Sequence, residues 1–231
     1  MRKHQTTTGI ILNLFPLRNA HQIITLFTLD FGLIKVVCYG SQSLKSKWHS
    51  LCKALSEVEI VFVDKGTELF DCSDLSLVNA YENLRGDFNF LNIACDMLYC
   101  LNLSQLLEKP APKLYALLVY YLRKIDQIKD PWRLSLSFRL KLLYHDGLLC
   151  VPFICQQCSQ LIYTEAYFFD GVANCQHHHL FPDAIFFDAE ELLAIYSLAT
   201  VKSYVDLEKI YLPAQIKNKI FALFKDCLNH G

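Results

Sequence analysis

Five short runs rich in β-branched and aromatic residues fill the first third of the chain: 9–15 (GIILNLF), 22–28 (QIITLFT), 33–39 (LIKVVCY), 57–63 (EVEIVFV) and 67–71 (TELFD). Turn-forming segments break them at Pro16 to His21, Asp30-Phe31-Gly32, Gly40 to Lys47 and Asp64-Lys65-Gly66. Five strands of this length within about 70 residues predict a small closed or partly open barrel. In the third run Ile34, Val36 and Cys38 share one face, and Lys35, Val37 and Tyr39 share the other, because side chains alternate along a strand. Such a barrel fills its interior while showing a Lys and a Tyr to solvent.

From Leu75 the period changes. Leu75, Val78, Asn79 and Glu82 predict a helix entry after Asp74, and Asn89 to Leu107 reads as a long helix. Pro110 and Pro112 punctuate it before two further helical segments, Leu114 to Gln127 and Trp132 to Tyr144, the second stopping at Asp146-Gly147. Asp188 opens another helix with Glu190 and Glu191 in its first turn, where carboxylates complement the helix dipole, and Tyr204 to Leu228 is helical around Pro213. The predicted class is α+β: a five-stranded barrel domain over residues 1–75, then a mainly helical domain over 76–231 with an insert at about 150–180. A length of 231 residues suits one or two domains, and an apolar content of 53% predicts partners over part of the surface.

Several functions are excluded by count. Eight Gly residues supply neither G-x-G-x-x-G nor a Gly-Lys pair, so dinucleotide and P-loop chemistry are absent. There is no H-E-x-x-H and no G-x-S-x-G. The longest apolar run, Leu114 to Leu122, stops at Arg123, well short of the ~18 residues of a membrane span. The amino-terminal segment begins basic, but Asn13, Arg18 and Asn19 interrupt its apolar stretch and no small-residue cleavage site follows, so a cytoplasmic location is expected.

The insert carries Cys155-Gln-Gln-Cys158 and, sixteen residues on, Cys175-Gln-His-His178, which reads C-x2-C-x16-C-x2-H. Two such knuckles bring four ligands around tetrahedral zinc, and four protein ligands leave no open position, which makes the zinc structural. His177 or His179 could replace His178, and a metal-free remnant packed by Tyr163, Tyr167 and Phe169 is the alternative. A zinc deaminase would need H-x-E and P-C-x-x-C, and neither is present. Cys38, Cys52, Cys72, Cys95, Cys100 and Cys227 fall in strand or helix patterns, where a free Cys acts as a small apolar residue.

A net charge of −1 hides an asymmetry. Up to Ala54 seven bases face one acid, net +6, leaving 15 bases and 22 acids, net −7, for the rest. A basic lobe suits a polyanion, and an acidic lobe a different partner. On a barrel, cations tracking phosphates and rings stacking on bases follow the logic of single-strand binding. The candidate cations are Arg18, Lys35, Lys45 and Lys47, and the candidate rings Phe15, Phe27, Phe31 and Tyr39. A second basic stripe is expected around Arg123, Lys124, Lys129, Arg133, Arg139 and Lys141.

The Gly9-Ile-Ile-Leu strand, the Arg18 turn, Ile-Ile-Thr-Leu-Phe-Thr at 23–28 leading to Gly32, and the Gly40 to Lys47 loop with its Lys-Ser-Lys together resemble the bacterial recombination mediator family RecO. The likeness continues through Phe138-Arg-Leu-Lys-Leu-Leu-Tyr-His-Asp-Gly147 and Cys155, Cys158 and Cys175, from about residue 8 to 225. The resemblance implies an N-terminal OB-fold, a helical domain with a zinc finger, and no catalytic site. It also implies binding of single- and double-stranded DNA, annealing of complementary strands, and work with RecR, and in some cases RecF, to load RecA onto strands coated by single-strand-binding protein at the nucleoid. The family usually carries a basic residue before the loop glycine, Arg within the loop and Cys as fourth ligand, where this chain has Tyr39, Gln42 and His178. The residues expected to meet DNA are Arg18, Lys35, Tyr39, Lys45 and Lys47. Helices from Asp188 onward are expected to dock protein, with Lys202, Lys209, Lys217, Lys219 and Lys225 as a basic rim. Two other classes compete: a zinc-stabilised adaptor that binds only protein, and an enzyme with Cys150 or Cys175 as nucleophile beside His177 to His179.

Overall fold

A computed structural model describes residues 4–179 and 181–229, so Arg2 and Lys3 of the basic lobe lie outside the described residues. The chain divides into two compact units, residues 1–126 and 127–231.

In the first unit, β1 (His4–Pro16), β2 (Gln22–Thr28), β3 (Gly32–Cys38), β4 (Glu57–Val63) and β5 (Phe70–Asn79) close a barrel in the order β1-β2-β3-β5-β4. Closure depends on β1, which pairs with β4 through His4 to Ile10 and with β2 through Gly9 to Pro16. A bulge between Ile11 and Asn13 gives this long strand its bend. The alternation expected of the third run is met: Ile34, Val36 and Cys38 lie in a core with Ile11, Ile24, Leu26, Ile60 and Phe62, while Lys35 faces outward.

Residues 75–79 are strand, not the expected helix entry. Leu75 pairs with Ile60 and Leu77 with Val58 in the antiparallel ladder to β4, and two register shifts in that ladder obscure the strand's alternation. The ladder satisfies the backbone before any helix can begin. Helices then cover the barrel: α1 (Glu82–Arg85), α2 (Phe88–Ser104), whose first amides are capped by Asp87, and α3 (Pro112–Leu122). A short 3-10 turn, Ile125–Gln127, ends the run expected as one helix to Gln127. Gly32 sits at φ +67 with the Lys109 carbonyl where its Cβ would be, and the Glu108 amide donates to the Leu33 carbonyl at 2.8 Å. The 105–109 segment therefore seats on β3 only because position 32 has no side chain.

The second unit is built on α4 (Trp132–His145), with residues 134–140, 142 and 143 all buried. Around it pack α5 (Ala189–Thr200), α6 (Tyr204–Lys209) and α7 (Ile216–Asn229). Asp188 and Glu191 form a complete capping box at the start of α5. The insert contributes a three-stranded sheet in the order β7-β6-β8, formed by β6 (Ala166–Phe169), β7 (Val172–Cys175) and β8 (Ile185–Phe187). Phe168 anchors it, packing edge-on against Phe153 and Phe187 at 5.3 Å each. Among the described residues no helix is long and apolar enough to cross a membrane.

Candidate nucleic-acid interface and metal centre

The two knuckles are turns held by their own backbone. Ser159 N–H donates to Cys155 O at 2.8 Å and Cys155 N–H to Gln160 O at 2.9 Å, and in the second knuckle His178 N–H donates to Cys175 O at 2.9 Å. These turns bring the ligand atoms of Cys155, Cys158, Cys175 and His178 to within 4.8 Å of one another. His178 Nδ1 lies 3.7 Å from Cys155 Sγ and 3.2 Å from Cys175 Sγ. Zinc bonds of about 2.3 Å to sulfur and 2.0 Å to nitrogen place tetrahedral donors roughly 3.5–3.8 Å apart, a spacing that the two distances from His178 bracket closely. Burial pushes the Cys155 thiol up, but backbone amides of Cys175, Cys158 and Gln157 aimed at its sulfur outweigh this and bring it to about 6. A sulfur so surrounded is prepared to be a thiolate, which is the form that binds metal.

The structure selects among the three histidines. His179 stacks on Tyr167 at 3.9 Å, and His177 is exposed outside the cluster. Of the rings named for a metal-free packing, Tyr167 stacks on His179, Phe169 stacks on Phe181 at 4.1 Å and Tyr163 is exposed. The cluster can hold a metal ion, and its donor chemistry is that of zinc.

On the barrel, Arg18 occupies the β1–β2 turn. Gln42 N–H donates to Ala20 O at 2.9 Å and Gly40 N–H to His21 Nδ1 at 2.8 Å, so this turn and the loop bearing Lys45 and Lys47 form one surface. Arg18, Lys35, Lys45 and Lys47 are all exposed. Lys47 is paired with Asp74 at 2.7 Å, and this pair, with the Leu75 amide, holds the Asp74 carboxyl below its usual range. Both partners are exposed, so solvent screens the pair and it holds Lys47 only weakly. Tyr39 is 48% exposed; its hydroxyl donates to Asp71 at 3.0 Å and its ring meets His21 edge-on at 5.1 Å. Lys65 Nζ lies 6.0 Å from the centre of that ring. Lys65, in the β4–β5 turn, also pairs with Asp71, the carboxylate that accepts from Tyr39, and the corresponding turn is one of the loops with which OB barrels bind oligonucleotides.

Other expectations change. Phe27 is wholly buried and Phe31 packs edge-on against Phe62 at 5.3 Å, leaving Phe15 and Tyr39 as the exposed candidate rings. In the second stripe, Arg123 meets buried Glu57 at 3.4 Å, and Arg133 donates to the carbonyls of Leu207 and Ile210. Arg139 is 6% exposed and stacks over Phe221 and Phe224, and Lys141 donates to the Val201 carbonyl. These four cations are spent on internal contacts. In the basic rim Lys209 pairs with Asp206, Lys219 pairs with Glu191, and Lys217 lies over the Trp132 ring. Cys95 is exposed on α2, not packed as an apolar residue.

A closed five-stranded barrel with a cationic loop face, followed by a helical unit with a Cys3His metal cluster, places the chain among OB-fold proteins that carry a zinc-finger-like module. The family described as Recombination protein O N terminal matches residues 1–81, and Recombination protein O C terminal matches residues 96–230. DNA repair protein RecO of Chlamydia pneumoniae is 28% identical over 218 residues, 94% of this chain and 86% of that protein. The Chlamydia muridarum protein of the same name is 25% identical over 222 residues, 95% and 94% of the two chains, and that of Gloeothece citriformis 31% over 131 residues, 57% and 46%. The chain belongs to the RecO family, whose role is in DNA repair and recombination.

Proposed function

We propose that this protein is a recombination mediator that binds single- and double-stranded DNA on its barrel, anneals complementary strands and, with RecR, helps load RecA onto strands coated by single-strand-binding protein. RecF is a further partner in this reading, the setting is the bacterial cytoplasm at the nucleoid, and no bond chemistry is required of the protein. The observation that carries it is the joining of the Arg18 turn to the Lys45/Lys47 loop, which concentrates exposed cations beside the half-exposed Tyr39 on one face of an OB barrel.

Cations on that face displace counterions from phosphate, so affinity falls with salt and varies little with sequence. Neutralising two strands on one surface lowers their mutual repulsion and leaves base edges free to pair. Structural zinc held by Cys155, Cys158, Cys175 and His178 would fix the insert's two turns and its sheet. Apolar groups exposed beside α5, among them Leu161, Tyr163, Leu193 and Tyr196, support docking of protein partners on the second unit. The test is annealing of two complementary labelled strands, bare and coated with single-strand-binding protein. Faster pairing of both supports the mediator, whereas no acceleration and no DNA binding would leave the protein-only adaptor.

A further inference from the structure

The side chain of His21 reaches from the β1–β2 turn to the loop that bears Lys45 and Lys47. The turn itself is tight: Asn19 and Ala20 both hold a left-handed backbone, φ +60 and +59, and the His21 amide donates back to the Arg18 carbonyl at 3.3 Å. Two left-handed central residues are the mark of the two-residue hairpin whose twist matches its strands. Alanine rarely adopts that conformation, and the Ala20 carbonyl so placed accepts from the Gln42 amide at 2.9 Å. Beside this bond His21 Nδ1 accepts from the Gly40 amide at 2.8 Å, and the half-buried ring meets Tyr39 edge-on at 5.1 Å. From Gly40 the loop winds through successive turns, Ser43 N–H to Gly40 O at 3.1 Å and Ser46 N–H to Ser43 O at 2.8 Å. Lys45 and Lys47 are thus carried on a segment anchored at Gly40 and Gln42. The ion pair of Lys47 with Asp74 is exposed on both sides and adds little to that anchor.

A backbone N–H can only donate, so the Gly40 contact requires a lone pair on Nδ1. His21 is therefore neutral in this arrangement, with its proton on Nε2. An imidazolium carries hydrogen on both nitrogens, and its Nδ1–H would face the Gly40 N–H, donor against donor. We propose that His21 is a positioning residue for the DNA face: the neutral ring latches the 40–47 loop to the β1–β2 turn, and protonation releases the loop, so that single-strand affinity falls in mild acid. Imidazole is the side chain suited to this, since its charge ordinarily changes between pH 5 and 8. The charged and titratable groups about the latch are Arg18 on the same turn, Lys45, Lys47 and His49 on the loop, Cys38 across the ladder from Gln22, and Tyr39 just past β3. Tyr39 in turn meets Asp71 on β5 and Lys65 in the β4–β5 turn. Asp71 is paired with Lys65 and accepts from Tyr39, so its charge is already met, while the surrounding cations disfavour an imidazolium in the closed loop. Protonation also adds positive charge to the face, which alone would tighten binding to a polyanion; a fall in acid is the sign of the latch and not of charge. The latch stands on geometry, and its effect on affinity rests on the DNA-binding role proposed above.

Two readouts separate the latch from that role. In the full chain supplied with zinc, NMR follows the ring nitrogens of His21 and the exchange of the Gly40 amide, corrected for intrinsic pH dependence, from about pH 8 to 5.5. The expected result is an Nε2–H tautomer at pH 8 and a Gly40 protection factor that drops as the ring gains its second proton. Single-strand affinity at the two pH values is compared with that of His21→Asn, whose Oδ1 stands near the place of Nδ1 and accepts without titrating, and of His21→Leu, which cannot accept. The Asn variant should match the native chain at pH 8, and relative to it the native chain should lose several-fold at pH 5.5. The Leu variant should bind several-fold more weakly than the native chain at pH 8. Acid effects on other groups are shared by the native and Asn chains and cancel in their ratio. Gly40 protection unchanged through the titration of the ring would overturn the latch. So would a native chain that follows the Asn variant at both pH values, or a Leu variant that binds like the native chain. Absence of DNA binding at every pH would count against the mediator role, because Gly40 protection decides the latch by itself.

Discussion

Tyr81 donates its hydroxyl to the Glu57 carboxylate at 2.9 Å, and both residues are buried. Tyr81 holds a left-handed backbone, φ +49, at the entry to α1, and Glu57 begins β4. A bulky residue in that region costs of order 1–3 kcal/mol, and the buried bond helps hold it there. Tyr115, at 3.4 Å, and Arg123 complete the carboxylate's shell, so one acid on the barrel fixes residues at the entry to α1, within α3 and just after it. Tyr81→Phe should cost about 1–2 kcal/mol in urea unfolding, and combining it with Glu57→Gln should be non-additive by more than about 0.5 kcal/mol. Strict additivity would show the contact to be incidental.

At Gly32 a Cβ would lie 2.0 Å from the Lys109 carbonyl oxygen. Neighbouring backbone cannot yield that distance without losing the Glu108 to Leu33 hydrogen bond. Gly32→Ala is expected to destabilise by about 3 kcal/mol or more. Gly40, with nothing within 4 Å of its Cβ position, is the control for positive φ alone and should cost about 1 kcal/mol.

Burial lowers the Lys141 ammonium to about 8. A base depressed in the folded state favours folding above its unfolded value, near 10.5, and loses that contribution as pH falls toward 8. Relative to Lys141→Met, the native protein should therefore lose about 1–2 kcal/mol between pH 10.5 and 8, after allowance for its partial exposure, and the difference should be flat below 8. A difference independent of pH from 7 to 10.5 would show that the ammonium is solvated.

Zinc in the Cys3His cluster predicts about one equivalent per chain by atomic emission. Chelation, or Cys158→Ser, should abolish it and lower the melting midpoint of the second unit by about 5 °C or more, with little effect on the barrel. Protein lacking zinc that melts unchanged with added metal would refute the metal reading.

Much of the barrel was legible because β2, β3 and β4 are short runs rich in β-branched and aromatic residues with turn residues between them. β5 was not, since Leu75 and Val78 mimic helical spacing and only the bulged ladder to β4 makes them strand. The Asp188 cap was legible because Glu191 three residues later completes it locally. Knuckle spacing named all four ligands, His178 by its two-residue separation from Cys175, and the stacking of His179 on Tyr167, a contact no spacing records, occupies one of the two alternative rings. Exposed cations could be named by type, yet Arg139 and Lys141 look the same in sequence as Lys45, and only the aromatic and carbonyl partners supplied by α7 and by the end of α5 show that they are internal.

The central claim is that DNA meets the barrel face carrying Arg18, Lys45 and Lys47. The most direct test is fluorescence anisotropy of a labelled single strand across a salt series, for the native chain and for a Lys45→Glu/Lys47→Glu variant of unchanged melting temperature. Affinity should fall steeply with salt in the native chain, and the variant should bind more weakly with a log–log slope shallower by roughly one to two units. Equal slopes and affinities for the two proteins would contradict the account.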